Sequence, residues 1–191
     1  MILTGKEIEK EVAAGRIEID PFNPRKLNPN SYNVTLANEL YTYAVDDYDG
    51  FIDAAEKNRL EEFVGARTLN DDGVESGWFL EPGRLYLGRT VERTHTDYYA
   101  PMLEGRSSVG RLGVFIHITA GFGDVGFDGF WTLEISCVEP VVIYAGMEIG
   151  QIFFHEVRGE RTLYGADGRA KYQRNVGVQA SESYRDFLRV E

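Results

Sequence analysis

Two arginines, Arg106 and Arg111, bracket a pair of serines on a glycine-rich background: Glu104-Gly105-Arg106-Ser107-Ser108-Val109-Gly110-Arg111-Leu112-Gly113. Arginine offers a planar fork of N–H donors, serine a short hydroxyl donor, and glycine lets backbone N–H groups come close to a ligand. Residues Arg106, Ser107, Ser108, Val109, Gly110 and Arg111 therefore have the composition of an oxyanion cradle. The same residues also read as a glycine-rich turn with two solvated arginines. Their spacing is neither that of a Walker A loop nor that of a dinucleotide fingerprint.

A carboxylate stands in the middle of the next informative run, Trp131-Thr132-Leu133-Glu134-Ile135-Ser136. Strand alternation puts Trp131, Leu133 and Ile135 on one side and Thr132, Glu134 and Ser136 on the other. Glu134 is then solvated, paired in the interior, or poised as a general base. Ahead of it, Asp124 lies among glycines in Gly121-Phe122-Gly123-Asp124-Val125-Gly126. It either meets a ligand hydroxyl or a metal-bound water, or caps its own turn. The C-terminal stretch from Tyr164 to Asn175 holds Lys171, Tyr172, Gln173 and Arg174 on a loop-like background, which by itself reads as a flexible polar tail.

Other chemistries find no support. His95, His117 and His155 are scattered without zinc-site spacing and read as structural. No G-x-S-x-G elbow is present, which argues against a serine hydrolase. Cys137 is the single cysteine, so neither an intramolecular disulfide nor a cysteine-rich zinc site is expected.

The elements that must position these groups are mostly strands. Thr4 and Glu7 have capping-box spacing, Ile8 and Val12 share one face, and Gly15 supplies a stop, which predicts a short helix over 5–14. Prolines 21, 24 and 29 then break the chain, and Asn28-Pro29-Asn30-Ser31 is a turn cluster leading into a half-buried strand with Tyr32, Val34 and Leu36 alternating. Residues 46–77 are acidic and read as a surface insertion, with a helix-like run from Ala54 to Val64 and a turn at Asn70-Asp71-Asp72-Gly73. Beyond Glu81-Pro82-Gly83, strands are expected around Leu85 and Leu87, over Val114–Thr119, Trp131–Ser136, Val141–Tyr144 and Ile149–Val157. Short strands with Gly and Pro turns at this spacing predict a mostly β domain spanning 1–191, a sandwich, jelly roll or closed barrel rather than βαβ units.

Composition bounds the partners. The chain has 191 residues, 43% hydrophobic and 27% charged, with a formal net charge of −11. That is globular composition, long enough to bury a core. So acidic a balance argues against gripping duplex DNA or an anionic membrane, but leaves room for a small phosphorylated ligand in a local basic pocket. No signal sequence or long apolar stretch is evident, so a soluble cytoplasmic protein is expected.

Taken together, these segments resemble the dCTP deaminases of the trimeric dUTPase superfamily. The match is carried by Glu104–Gly113, His117-Ile-Thr-Ala-Gly121, Asp124-Val-Gly-Phe127, Thr132-Leu-Glu134, the Pro-Val-Val-Ile-Tyr-Ala-Gly-Met run over 140–147, and Lys171-Tyr172. Met1–Lys6 and Asn28–Asn33 look like the family too, and the resemblance covers nearly all of the chain outside 46–77. It implies a dUTPase-like distorted barrel or jelly roll, assembled as a homotrimer with sites shared between subunits. It further implies that Arg106, Ser107 and Ser108 bind triphosphate oxygens and order a water. Magnesium would be held mainly by the phosphates.

In the same resemblance Glu134 is the general acid/base and Arg111 orients it by an ion pair. Asp124 meets the deoxyribose 3′-hydroxyl, and Thr132 and Leu133 address the pyrimidine edge. Gln151, Tyr164 and Lys171 match ligand positions, the last two on a lid formed by 164–191. Asn175 departs from the family, standing where many relatives have a glutamine, with Gln173 and Gln179 nearby. Ala120-Gly121-Phe122 is more similar to the bifunctional, dUMP-forming members than to the single-step type, which carries a His-Arg pair there.

Hydrolytic deamination without the H-x-E and P-C-x-x-C signature of the zinc enzymes calls for a positioned carboxylate, and no zinc is expected. The resemblance makes dCTP and dUTP the substrates and dTTP a feedback ligand. Two other readings are a plain dUTPase, and a regulator that binds deoxynucleotides without turnover.

Overall fold

A computed structural model describes residues 1–45, 50–64 and 77–188. Thr4 caps helix α1 (Gly5–Ala13), its hydroxyl accepting from Glu7 N at 3.3 Å. The Glu7 side chain turns outward to Lys10 instead of closing the capping box. Ile8 is fully buried beneath the helix, and Gly15 leaves it with φ +68°, a left-handed turn that glycine adopts without steric cost.

Eleven strands follow among the described residues: β1 (Glu18–Asp20), β2 (Tyr32–Thr35), β3 (Tyr41–Tyr43), β4 (Leu60–Glu62), β5 (Trp78–Leu80), β6 (Tyr86–His95), β7 (Tyr99–Gly105), β8 (Val114–Phe115), β9 (Asp128–Cys137), β10 (Val141–Ile143) and β11 (Glu148–Glu156). A one-turn helix, α2 (Ser107–Gly110), sits between β7 and β8. The largest sheet runs β4-β3-β6-β9-β8, with β1 also on β6; β2-β11-β7 form a second sheet and β10-β5 a third. All pairings within these sheets are antiparallel. The fold is mostly β, as expected.

The β9 pattern agrees with the expected alternation. Trp131, Leu133, Ile135 and Cys137 are buried, while Thr132, Glu134 and Ser136 are half-buried on the opposite face. Leu133 and Ile135 join Tyr32, Tyr86 and Phe154 in the fully buried core. Leu133→Ala is expected to cost about 2–5 kcal/mol, as removal of a fully buried leucine side chain does, and urea unfolding would read it.

Three local expectations are corrected. The run from Ala54 to Val64 is not helical: Leu60–Glu62 pairs with β3, placing Leu60 opposite Tyr43. Asn58 holds the preceding turn by donating to the carbonyls of Asp53 and Glu56, and Phe63 packs edge-on against Tyr86 at 4.8 Å. Tertiary pairing outweighs the modest helix preference of these residues. Strand Val114–Thr119 stops at Phe115, because Ile118 N turns to the Glu134 carboxylate. β2 is buried on both faces rather than one, since Asn33 and Thr35 bond the carboxylates of Glu148 and Glu92. Asp46–Asp49 and the Asn70–Gly73 turn lie outside the described residues.

Candidate active site

Glu134 lies on β9 between β6 and the edge strand β8, opposite Leu87 of β6, and its backbone N–H donates to Ile116 O at 3.0 Å on the other side. Its Oε2 accepts from Ile118 N at 2.8 Å. That bond fixes the carboxylate, and Oε1 makes no hydrogen bond among the described residues. The side chain lines a cavity of about 550 Å3, well within the size range of small-ligand sites.

The walls of that cavity are strongly aromatic. Phe122, Phe127, Phe130, Tyr164 and Tyr172 contribute, and Phe127 packs between Trp131 and Tyr164 at centroid distances of 5.1 and 6.1 Å. Asp124 sits at the rim, exposed, in a turn closed by Phe127 N on its own carbonyl at 3.1 Å. Gly126 occupies φ +88° in this turn, and Tyr164 N bonds Val125 O at 2.8 Å. The Asp124 carboxylate makes no hydrogen bond among the described residues, so it does not cap its turn.

The C-terminal stretch is docked, not free. Asn175 clasps both backbone groups of Phe130, accepting from its N at 2.7 Å and donating to its O at 2.8 Å. Gln173 accepts from Asp128 N and donates to Gly126 O, while Gln179 N reaches Thr132 Oγ1 at 3.2 Å. Tyr43 OH accepts from Ser181 N at 2.9 Å. Burial pushes the Tyr43 phenol up, the Ser181 bond opposes this, and the Glu134 charge adds to the rise. Gly129 makes the clasp possible, because a Cβ there would lie 2.3 Å from Asn175 Oδ1. Gly129→Ala is therefore expected to loosen the segment, read as faster limited proteolysis within 173–188 with the rest of the digest unchanged.

Sequence-predicted residues thus fall into two groups. Asp124, Thr132, Glu134, Tyr164 and Asn175 line one cavity. Leu133 points its side chain into the core instead, leaving only its backbone on that face. Lys171 is nearby in chain but engaged by Asp186. Arg106 to Arg111 form the second group at the end of β7 and none of them lines the Glu134 cavity. Ser107, Ser108, Gly110 and Arg111 are exposed, Val109 anchors α2 in the core, and Gln151 lies beside them on β11, its amide donating to Gly105 O at 3.4 Å. Arg111 Nη1 donates to Ser107 O at 3.4 Å, and within one chain it makes no ion pair with Glu134. The sequence reading did not single out Tyr43, Phe130 or Ser181, whose only signal was an aromatic or small residue in an unremarkable segment.

No group of three or more His, Cys, Asp or Glu among the described residues is arranged to hold a metal ion. Burial pushes the Cys137 thiol up, which suits a core residue and not a nucleophile. No helix among the described residues is long and apolar enough to cross a membrane.

Comparison with known proteins adds to this geometry. The profile of a family described as dCTP deaminase-like matches residues 2–157. The chain is 52% identical over 188 residues to the "dCTP deaminase, dUMP-forming" of Clostridium acetobutylicum, spanning 98% of this chain and 99% of that one. A protein of the same name from Leptospira biflexa is 51% identical over 187 residues, 98% of each chain. Among solved structures, 2'-deoxycytidine 5'-triphosphate deaminase from Agrobacterium tumefaciens superposes with a TM-score of 0.55 at 20% identity, over 80% of this chain and 46% of that one.

Proposed function

Because this chain belongs to the dCTP deaminase-like family, we infer that it hydrolyses dCTP to dUTP and ammonia and carries the product on to dUMP and diphosphate. The observation that bears most weight is Glu134: a carboxylate with one oxygen pinned and the other open, in an aromatic cavity of nucleoside size. The names of the relatives at about half identity support the dUMP-forming course.

In this reading the pyrimidine lies among the aromatic side chains with C4 toward Glu134. The carboxylate takes a proton from a water as its oxygen attacks C4, delivers it to N3, and then shuttles a proton to the departing amine, so that water and dCTP leave as ammonia and dUTP. Asp124 receives the 3′-hydroxyl, and Thr132 with the Leu133 backbone addresses the base edge. Arg106, Ser107, Ser108 and the amides around Val109 and Gly110 hold the triphosphate with Gln151, while Tyr164, Lys171 and Asn175 serve from the closing segment. Magnesium fits as an ion carried by phosphate oxygens, since the described residues offer no clustered protein donors for it. dTTP, a pyrimidine triphosphate without the amino group, suits the same pocket as a feedback ligand.

The separation of the two residue groups supports a homotrimer, in which the Arg106–Arg111 cluster of one subunit completes the Glu134 cavity of the next. Ser107 would then hold the attacking water and Arg111 would pair with Glu134 across the interface. Leu112, Phe115, Ile118 and Val138 stand 51%, 55%, 57% and 61% exposed around these elements, an apolar patch that a second copy of the chain would cover.

Incubation with dCTP and magnesium, following ammonia and diphosphate separately, tests the function. Release of both is expected. Ammonia alone would mean deamination without the second step, diphosphate from dUTP alone a dUTPase, and neither product a binding protein.

A further inference from the structure

The Asn28–Asn33 turn has no part in the reaction above, yet it carries two buried polar side chains. Ser31 and Asn33 are 7% and 6% exposed. Buried amides and hydroxyls persist where hydrogen bonds replace lost water, so their partners are informative. Asn33 Nδ2 donates to Glu148 Oε2 at 2.8 Å, and Asn33 Oδ1 accepts from Asn28 Nδ2 at 2.7 Å. Asn28 also donates to Ser31 Oγ at 3.2 Å, and Ser31 donates to Gln151 Oε1 at 2.8 Å. The relay thus runs from Glu148, which contacts Arg106, to Gln151, which bonds the carbonyl of the preceding Gly105.

Glu148 holds that arginine twice. Its Oε2 lies 2.9 Å from Arg106 Nη1, and its backbone carbonyl accepts from the same nitrogen at 3.1 Å. The β2–β11 ladder slips register between Glu148 and Gly150, and such an irregularity re-aims a side chain. A carboxylate this close to an anion-gripping arginine would ordinarily be a competitor. Both contacts, however, fall on one terminal nitrogen, while Nε and Nη2 make no hydrogen bond among the described residues. That free edge is the one that can take two oxygens of a phosphate side-on.

We propose that Glu148, itself braced by Asn33, is a positioning residue that fixes the Arg106 guanidinium with its Nε–Nη2 edge toward the triphosphate. This rests on the reading of Arg106 as a phosphate ligand. An arginine held in one rotamer loses less conformational freedom when the anion arrives. Competition and positioning predict opposite signs, which makes the idea testable.

The experiment compares wild type, Glu148→Ala and Glu148→Gln for dCTP kinetics with magnesium, and for affinity toward inorganic tripolyphosphate by calorimetry. Glu148 is one-third exposed, so its removal leaves the core intact. Glu148→Ala is expected to raise KM and weaken tripolyphosphate binding about tenfold, with kcat within about twofold. Glu148→Gln keeps an amide oxygen for Arg106 and Asn33 and is expected within about threefold of wild type on both measures. Unchanged or tighter binding by Glu148→Ala overturns the proposal, as does a Gln variant as weak as the Ala one. Wild type that binds tripolyphosphate but leaves dCTP intact would refute the functional reading alone, with the titration still deciding this one. Wild type that turns over dCTP but binds no tripolyphosphate refutes this proposal and leaves the functional reading standing, and wild type that does neither refutes both.

Discussion

Glu134→Gln is expected to reduce ammonia release from dCTP by about 10²–10⁴-fold, the usual contribution of a positioned acid/base. The amide is nearly isosteric and can keep the bond from Ile118 N that now holds Oε2 at 2.8 Å. What it loses is the ability to accept a proton from water and pass it on. Binding of dCTP, measured by calorimetry, is expected to stay within about tenfold of wild type, since the aromatic walls and phosphate ligands remain. Near wild-type ammonia release from a folded Gln variant would remove Glu134 from the mechanism.

A larger loss is expected from Phe115→Glu. Phe115 is 55% exposed in the same apolar patch as Leu112, Ile118 and Val138, and in the proposed homotrimer a carboxylate there would put like charges into that contact. The variant is expected to sediment as a monomer and lose turnover to the limit of detection, because the Arg106–Arg111 cluster would no longer meet a Glu134 cavity. A mixing experiment separates this from simple misfolding. Arg106→Ala and Glu134→Gln should each be inactive alone. After unfolding and co-refolding at equal amounts they should recover about a quarter of wild-type activity, the share of sites that draw both intact groups from different subunits of a random trimer. No recovery would mean that each site is built from a single chain.

Much of the local design was legible along the chain. The β9 alternation is a period-2 pattern with bulky residues on one face, and it placed Glu134 on the opposite face from Leu133. Thr4, Gly15 and the Glu81–Gly83 turn are signals within a few residues of their partners, and the structure agrees with them. The helix-like run before Val64 misled because its residues have only a weak intrinsic preference, while the pairing partner Tyr41–Tyr43 lies some twenty residues earlier. The end of the strand at Phe115 was hidden for a similar reason: the acceptor for Ile118 N is a side chain on another strand.

Residue types and order alone determined a mostly β chain and a carboxylate on a strand facing away from the core, and made Arg106–Arg111 a candidate oxyanion cradle, because each depends on near neighbours. Only the tertiary structure decided that Tyr43, Phe130 and the 173–183 segment close over that carboxylate, that Asn28–Asn33 braces Glu148, and that the two chemical groups stand apart within one chain. Those outcomes depend on contacts between residues tens of positions apart, where the geometry is set by how strands pair and pack and no local pattern records it.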